Sequence, residues 1–341
     1  MLAWWVNEPG AVASRPMVMG ERPDPIPGRG EMLLEVSVCG VCRTDLHLAE
    51  GDLAPRHRHV VPGHEVVGVV RELGPGCTLF SPGDRAGIPW LGETCGACRF
   101  CLSGKENLCL SPTFTGWDRD GGYAELVTVS EAFAYRIPEI FTDEQAAPLL
   151  CSGIIGYRAL KRAVLPPGGR LGIYGFGGSA HLTAQMARHA GASVYVMTRS
   201  AEARSLARSL GAEFVGGPAD IPPEPLDSAI LFAPAGDLVP VALRALDRGG
   251  TLAVAGIHLS DIPPLHYQTD LFQERQLRSV TANTRADGRE FLSIAAQIPL
   301  QPTTTMYPFA AADAALEDLA ADRVNGAAVL RIGGNATTPD I

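Results

Sequence analysis

The chain has 341 residues, 46% of them hydrophobic and 19% charged, with a formal net charge of −9. That length suits two domains of the ordinary ~100–200 residues, and the usage is that of a globular protein. The acidic balance and the lack of any Lys/Arg stripe exclude nucleic acid as a partner, because such binding rests on cations that neutralise phosphates.

The N-terminal stretch MLAWWVNE has no basic segment ahead of a long apolar run. No segment reaches ~18 uninterrupted apolar residues. The expectation is a soluble cytoplasmic protein with no membrane partner. The 38 glycines and 27 prolines fall between periodic segments, so they read as turns and not as a disordered tract.

In chain order, residues 31–39 (EMLLEVSVC) predict a strand with Met32, Leu34, Val36 and Val38 on one face. Residues 64–73 give a second, valine-rich β run. The first ~150 residues read as mostly β with irregular loops. The pattern changes after Pro166-Pro167-Gly168-Gly169. Residues 170–174 predict a strand, 179–190 a helix, 193–197 a strand, 201–210 a helix, 228–233 a strand, 238–246 a helix and 251–255 a strand. This alternation implies βαβ units and a parallel sheet. From about Phe291 the character is mixed again and returns to the first domain.

Eight cysteines include four within fifteen residues, Cys95-x2-Cys98-x2-Cys101-x7-Cys109. Clustering in a long chain without an export signal points to metal over disulfides. Pairs two residues apart let one tight turn aim both sulfurs at an ion, and four thiolates suit a closed, structural zinc site. Four thiolates also hold iron–sulfur clusters, and four free thiols are the plain alternative. A second donor set lies far apart in the chain: Cys42, His64 and Cys151. Two thiolates and one imidazole leave a fourth position open, as in a catalytic zinc site. Cys39 and Cys77 read as buried thiols, and His57 and His59 as solvated.

Gly175-Phe176-Gly177-Gly178-Ser179-Ala180 has the form G-x-G-x-x-A between a predicted strand and helix. There the glycines allow a tight turn, and the helix N-terminus attracts a pyrophosphate. About 20 residues on, Thr198-Arg199-Ser200 stand where an acidic residue would bind a ribose hydroxyl. With no carboxylate, Arg199 and the two hydroxyls favour NADP(H) or use of both dinucleotides.

Together GVCRTDLH (residues 40–47), PGHEVVG (62–68), the cysteine loop, DGGYAEL (120–126) and YGFGGSAH (174–181) make the chain resemble the zinc-containing medium-chain alcohol dehydrogenase family over essentially its whole length. The resemblance implies a GroES-like β-rich catalytic domain, residues 1–152 and 285–341, and an inserted Rossmann domain with a doubly wound parallel sheet, residues 153–284. It also implies a catalytic zinc on Cys42, His64 and Cys151, with Glu65 behind the metal and exchanging onto it. Thr44 would contact the alcohol oxygen and His47 would pass its proton to solvent. Thr44 and Asp45 are equally able to cap a short helix. Trp90 and Leu91 would stand near the substrate, with Phe114 and Trp117 as unplaced candidates; packing alone would also explain Trp90. The implied activity is reversible hydride transfer between a primary alcohol or aldehyde and NAD(P), with two zinc ions per chain. A homo-oligomer, tetramer or dimer, is the implied assembly. A zinc-free quinone or enal reductase of the same superfamily and a non-enzymatic dinucleotide-binding protein are the competing readings.

Overall fold

The computed structural model describes residues 1–256, 259–298 and 300–333. Two compact units share the chain: Met1–Cys151 joined by the segment from Thr303 onward, and Ser152–Pro302.

The first unit is organised by one long strand, Glu31–Val41. Its inward positions Met32, Leu34, Val36 and Val38 are all buried, while Glu35 faces water. One edge pairs antiparallel with Val66–Leu73. The other edge is divided: residues 31–35 pair with Leu126–Ser130, and residues 38–41 pair with Ala327–Arg331. Thr304–Pro308 lies parallel to that last strand. The C-terminal segment thus completes the sheet begun by the N-terminal one. Register shifts at Leu33/Leu34 and Val36/Val38 bend the strand pair, which re-aims side chains at its end. That end is where Cys42 lies.

The second unit carries a six-stranded, all-parallel sheet in the order Phe214–Gly216, Ser193–Met197, Arg170–Tyr174, Leu226–Leu231, Leu246–Val254, Gln276–Ser279. The strand that comes first in sequence sits inside the sheet, so the order reverses beside it. Ligands of open α/β sheets bind beyond the strand ends at such a switch point. Helix Gly178–His189 presents Ala180, Ala184 and Ala187 at helical spacing to Leu171, Ile173, Val194 and Val196. Small side chains on that face let helix and sheet approach closely.

The expected return to the first unit at residue 285 is corrected to Thr303. Helix Arg285–Gln297 belongs to the second unit. Its Phe291 ring lies over Gly153, where a Cβ would come within 2.4 Å of the ring. Its Asp287 pairs with Arg158 and, at 3.3 Å, with Lys161. Asp287 also closes a capping box with Thr284. Among the described residues no helix is long and apolar enough to cross a membrane.

Burial pushes the Asp287 carboxyl up, but the Thr284 N–H and the Arg158 charge outweigh it and hold the group below its usual range. A lowered folded value supports the fold above the ordinary carboxylate range of about 4, and that support drains away as pH falls further. Asp287→Ala should therefore cost about 2 kcal/mol at neutral pH, from a lost cap and a lost charged hydrogen bond. The deficit should shrink in acid, as read by urea unfolding at pH 7 and pH 3.5. An equal deficit at both values would reject this account.

Candidate active site and metal centres

The four clustered cysteines do converge. Their sulfurs all lie within 4.8 Å of one another, with separations of 3.5 Å for Cys95–Cys109, 3.6 Å for Cys98–Cys101 and 4.0 Å for Cys95–Cys101. A tetrahedron with ~2.3 Å zinc–sulfur bonds has edges of about 3.8 Å. The backbone of the loop is turned towards the sulfurs. The N–H of Cys95 donates to Cys109 Sγ, that of Cys98 to Cys95 Sγ and that of Ser111 to Cys109 Sγ, at 3.3–3.4 Å. N–H groups of Cys101 and Leu110 hold the Cys98 thiol down at about 6, whereas burial pushes Cys101 up to about 11. Four sulfurs at this spacing repel one another as thiolates unless a cation sits among them, so the residues fit a structural zinc.

The second cluster is built from the ends of three segments. Cys42 follows the long strand and caps helix Arg43–Glu50. Its Sγ accepts the Thr44 N–H at 3.3 Å, and its own N–H donates to Asp45 Oδ2 at 2.9 Å. The cap is therefore Cys42, with Asp45 as its reciprocal partner, and Thr44 contributes its backbone N–H. His64 and Glu65 immediately precede strand Val66–Leu73, and Cys151 ends the first unit. Ligand atoms of Cys42, His64, Glu65 and Cys151 all lie within 4.8 Å of one another. Glu65 thus supplies a fourth donor where the sequence suggested a vacant corner. Room for it comes from Gly40, at which a Cβ would fall 1.9 Å from Glu65 Oε2.

His64 and Glu65 are almost fully buried, yet both ring nitrogens of His64 and Oε1 of Glu65 lack an aligned hydrogen-bond partner. Nδ1 of His64 stands 3.3 Å from Asp45 Oδ1, which takes the Gly63 N–H at 3.0 Å. Asp45 is thus a hub under the cluster, leaving Nε2 for an ion. A hydrogen bond from Cys151 and the nearby His64 hold the Cys42 thiol well below its ordinary value, and the same bond pushes Cys151 up. Burial, then the charge on Cys42, drives Glu65 up. Burial alone would lower His64, but Asp45 and Cys42 pull it well above its usual value. A field that holds a proton on a buried imidazole equally attracts a divalent cation. The donor set fits a catalytic zinc.

Around this cluster, Thr44 is buried and His47 is half-buried, its Nδ1 3.0 Å from Asp52 Oδ2. Asp52 escaped the sequence reading; the signal was Gly51, whose left-handed backbone (φ 90°) ends the helix and brings the next residue back to His47. Trp90 meets the His64 ring edge-on at 4.8 Å and stacks on Phe114 and Trp117 at 4.9 and 5.9 Å. Arg56 lies over Trp117 at 4.5 Å. Leu91 is fully buried, opposite Phe114 in a two-stranded ribbon. His57 and His59 are exposed and Cys39 is buried. Cys77 is only half-buried, because it sits in a surface turn where its Sγ donates to the Glu31 carbonyl.

In the second unit, Gly175 has φ 85°, and a Cβ there would come 2.8 Å from the Ala233 nitrogen. Gly177 caps helix Gly178–His189 without a side-chain bond, and a Cβ on it would face open space. Ala180 is fully buried. At the end of the neighbouring strand Thr198 donates its N–H to the Gly216 carbonyl, Arg199 is exposed and Ser200 accepts the Ala203 N–H as helix cap.

Metal analysis of the purified chain should return close to two zinc ions. Cys98→Ala should lose one and lower the melting temperature steeply; Cys42→Ala should lose one and lower it less, by the worth of a helix cap and of the second ion. Wild-type protein with one zinc or none would overturn the two-site account.

Residues 28–139 match the model of the alcohol dehydrogenase GroES-like domain, and residues 178–297 that of the zinc-binding dehydrogenase domain. A probable alcohol dehydrogenase AdhA of Mycobacterium tuberculosis is 58% identical over 97% of both chains. Among solved structures, a cinnamyl alcohol dehydrogenase of Sorghum bicolor superposes with a TM-score of 0.88 over the whole of both chains at 27% identity. A thermostable alcohol dehydrogenase of Pyrobaculum aerophilum with bound cobalt and zinc gives 0.88 over 97% of this chain and 99% of that one, at 26% identity. With two thiolate-rich donor clusters and a glycine-rich βα turn on such a frame, the chain belongs to the zinc-containing medium-chain alcohol dehydrogenase family.

Proposed function

We propose that this NAD(P)-dependent zinc alcohol dehydrogenase interconverts primary alcohols and aldehydes, aromatic ones among them, and uses NADP(H) or both dinucleotides. The observation that carries the reading is the buried meeting of Cys42, His64, Glu65 and Cys151 beside an aromatic wall. Zinc held there would polarise a carbonyl or lower the pKa of an alcohol by several units, and the dinucleotide would carry the hydride.

The protein's own residues do the rest. Cys42, His64 and Cys151 would hold the metal, and Asp45, 3.3 Å from the His64 ring, would keep that ring oriented. Glu65 stands within reach of the same position as a further donor. Thr44 binds the substrate oxygen through its hydroxyl, and His47, steadied by Asp52, carries the proton towards solvent. Trp90, with Phe114 and Trp117 stacked on it, gives a flat apolar flank that excludes water and suits planar substituents. In the second unit Gly175, Gly177, Gly178 and Ala180 shape the pyrophosphate turn. Thr198, Arg199 and Ser200 offer donors to a ribose 2′-phosphate and no carboxylate to a ribose hydroxyl.

A panel of alcohols and aldehydes run with both dinucleotides should show turnover with NADP(H), alone or alongside NAD(H). NADH favoured by more than about a hundredfold, roughly 2.7 kcal/mol, would sink that reading. Cys42→Ala should abolish turnover. His47→Gln should slow alcohol oxidation; an unaltered rate would count against the relay.

A further inference from the structure

His181 lies in the second turn of helix Gly178–His189, has no exposed surface and is given no part in the chemistry above. Its Nδ1 is 3.2 Å from the Gly177 carbonyl oxygen. The same oxygen accepts the backbone N–H of His181 at 3.1 Å. A carbonyl can only accept, so Nδ1 carries the proton, and both lone pairs of Gly177 O are engaged. Burial lowers the imidazole to about 4, more than the carbonyls of Gly177 and Gly178 raise it, so the ring is neutral.

This contact reaches the turn through peptide geometry. In a trans peptide the C=O and the following N–H are coplanar and point in opposite directions. Anchoring the Gly177 carbonyl towards the helix turns the Gly178 N–H outward. It is one of the first N–H groups of the helix, which have no partner within it. Gly177 brings no side-chain cap, and two adjacent glycines leave the turn the loosest backbone available.

We propose that His181 is a positioning residue of the dinucleotide turn, a clamp that presets the Gly178 N–H for the pyrophosphate. The inference rests on the reading that this turn takes the pyrophosphate, and binding assays separate the two. ADP-ribose carries adenosine and pyrophosphate; adenosine carries only the former. For His181→Leu, calorimetric titration should show ADP-ribose weakened about tenfold, the worth of one good hydrogen bond. Adenosine, competed against ADP-ribose, should change by less than about twofold on the same scale. The dissociation constants of NADH and NADPH should rise by one common factor, because the pyrophosphate is common to both. His181→Asn, whose amide nitrogen replaces Nδ1, should restore most of the loss. Equal weakening of ADP-ribose and adenosine, no weakening of either, or failure of Asn to rescue would overturn the clamp. A wild-type chain that bound adenosine but gained nothing from the pyrophosphate would overturn the reading of the turn and the clamp with it.

Discussion

Charge confined in a dry place is the constraint on which the first unit depends. Cys42, Glu65 and Cys151 can each become an anion, and His64 and Glu65 are almost fully buried beside them. Three negative groups crowded there are poorly solvated, since Glu65 is almost fully buried and Cys42 and Cys151 partly so, and burial of unpaired charge is costly. Protons respond first: Cys151 and Glu65 are driven to hold theirs, while His64 is drawn to take one. A dication meets all of these demands at once and engages the orphaned imidazole nitrogen. The cysteine loop repeats the logic with four thiols and almost no core of its own, so there the ion supplies the folding energy.

Much of the architecture serves to hold these groups at fixed directions. Asp45 links three of the cluster's supports: the Cys42 N–H, the Gly63 N–H and the His64 ring. Tyr123, fully buried, reaches the same carboxylate at 3.5 Å. Because Cys42 is both the cap of a helix and a candidate ligand, the helix start and the metal site are a single local structure. Moving either moves the other.

The legible parts of the molecule were those with a local signature. The four-cysteine spacing is self-contained within fifteen residues, and the structure closes it. Strand Arg170–Tyr174 and strand Ser193–Met197 have the bounds that their short apolar runs and flanking turns suggest. Strand Gln276–Ser279 was missed because QLRS has neither an apolar run nor alternation; its register comes from Leu246–Val254. Helix Arg285–Gln297 carried a readable Thr284-x-x-Asp287 start, but the mixed stretch from Phe291 drew the boundary away from it. The catalytic donors were nameable by resemblance, whereas Asp45 was legible only as a helix-cap candidate and Asp52 not at all. The reach of Asp45 to His64 and Gly63, and of Asp52 to His47, depends on backbone paths that single letters do not carry.

Gly40 has no side chain and no chemistry of its own. The space it leaves is nevertheless the space Glu65 occupies. One inherited methyl group at that position would expel the carboxylate or bend the strand that ends at Cys42. Damage to this enzyme can therefore arise at a residue that no inventory of ligands would contain, and it would present as a loss of metal.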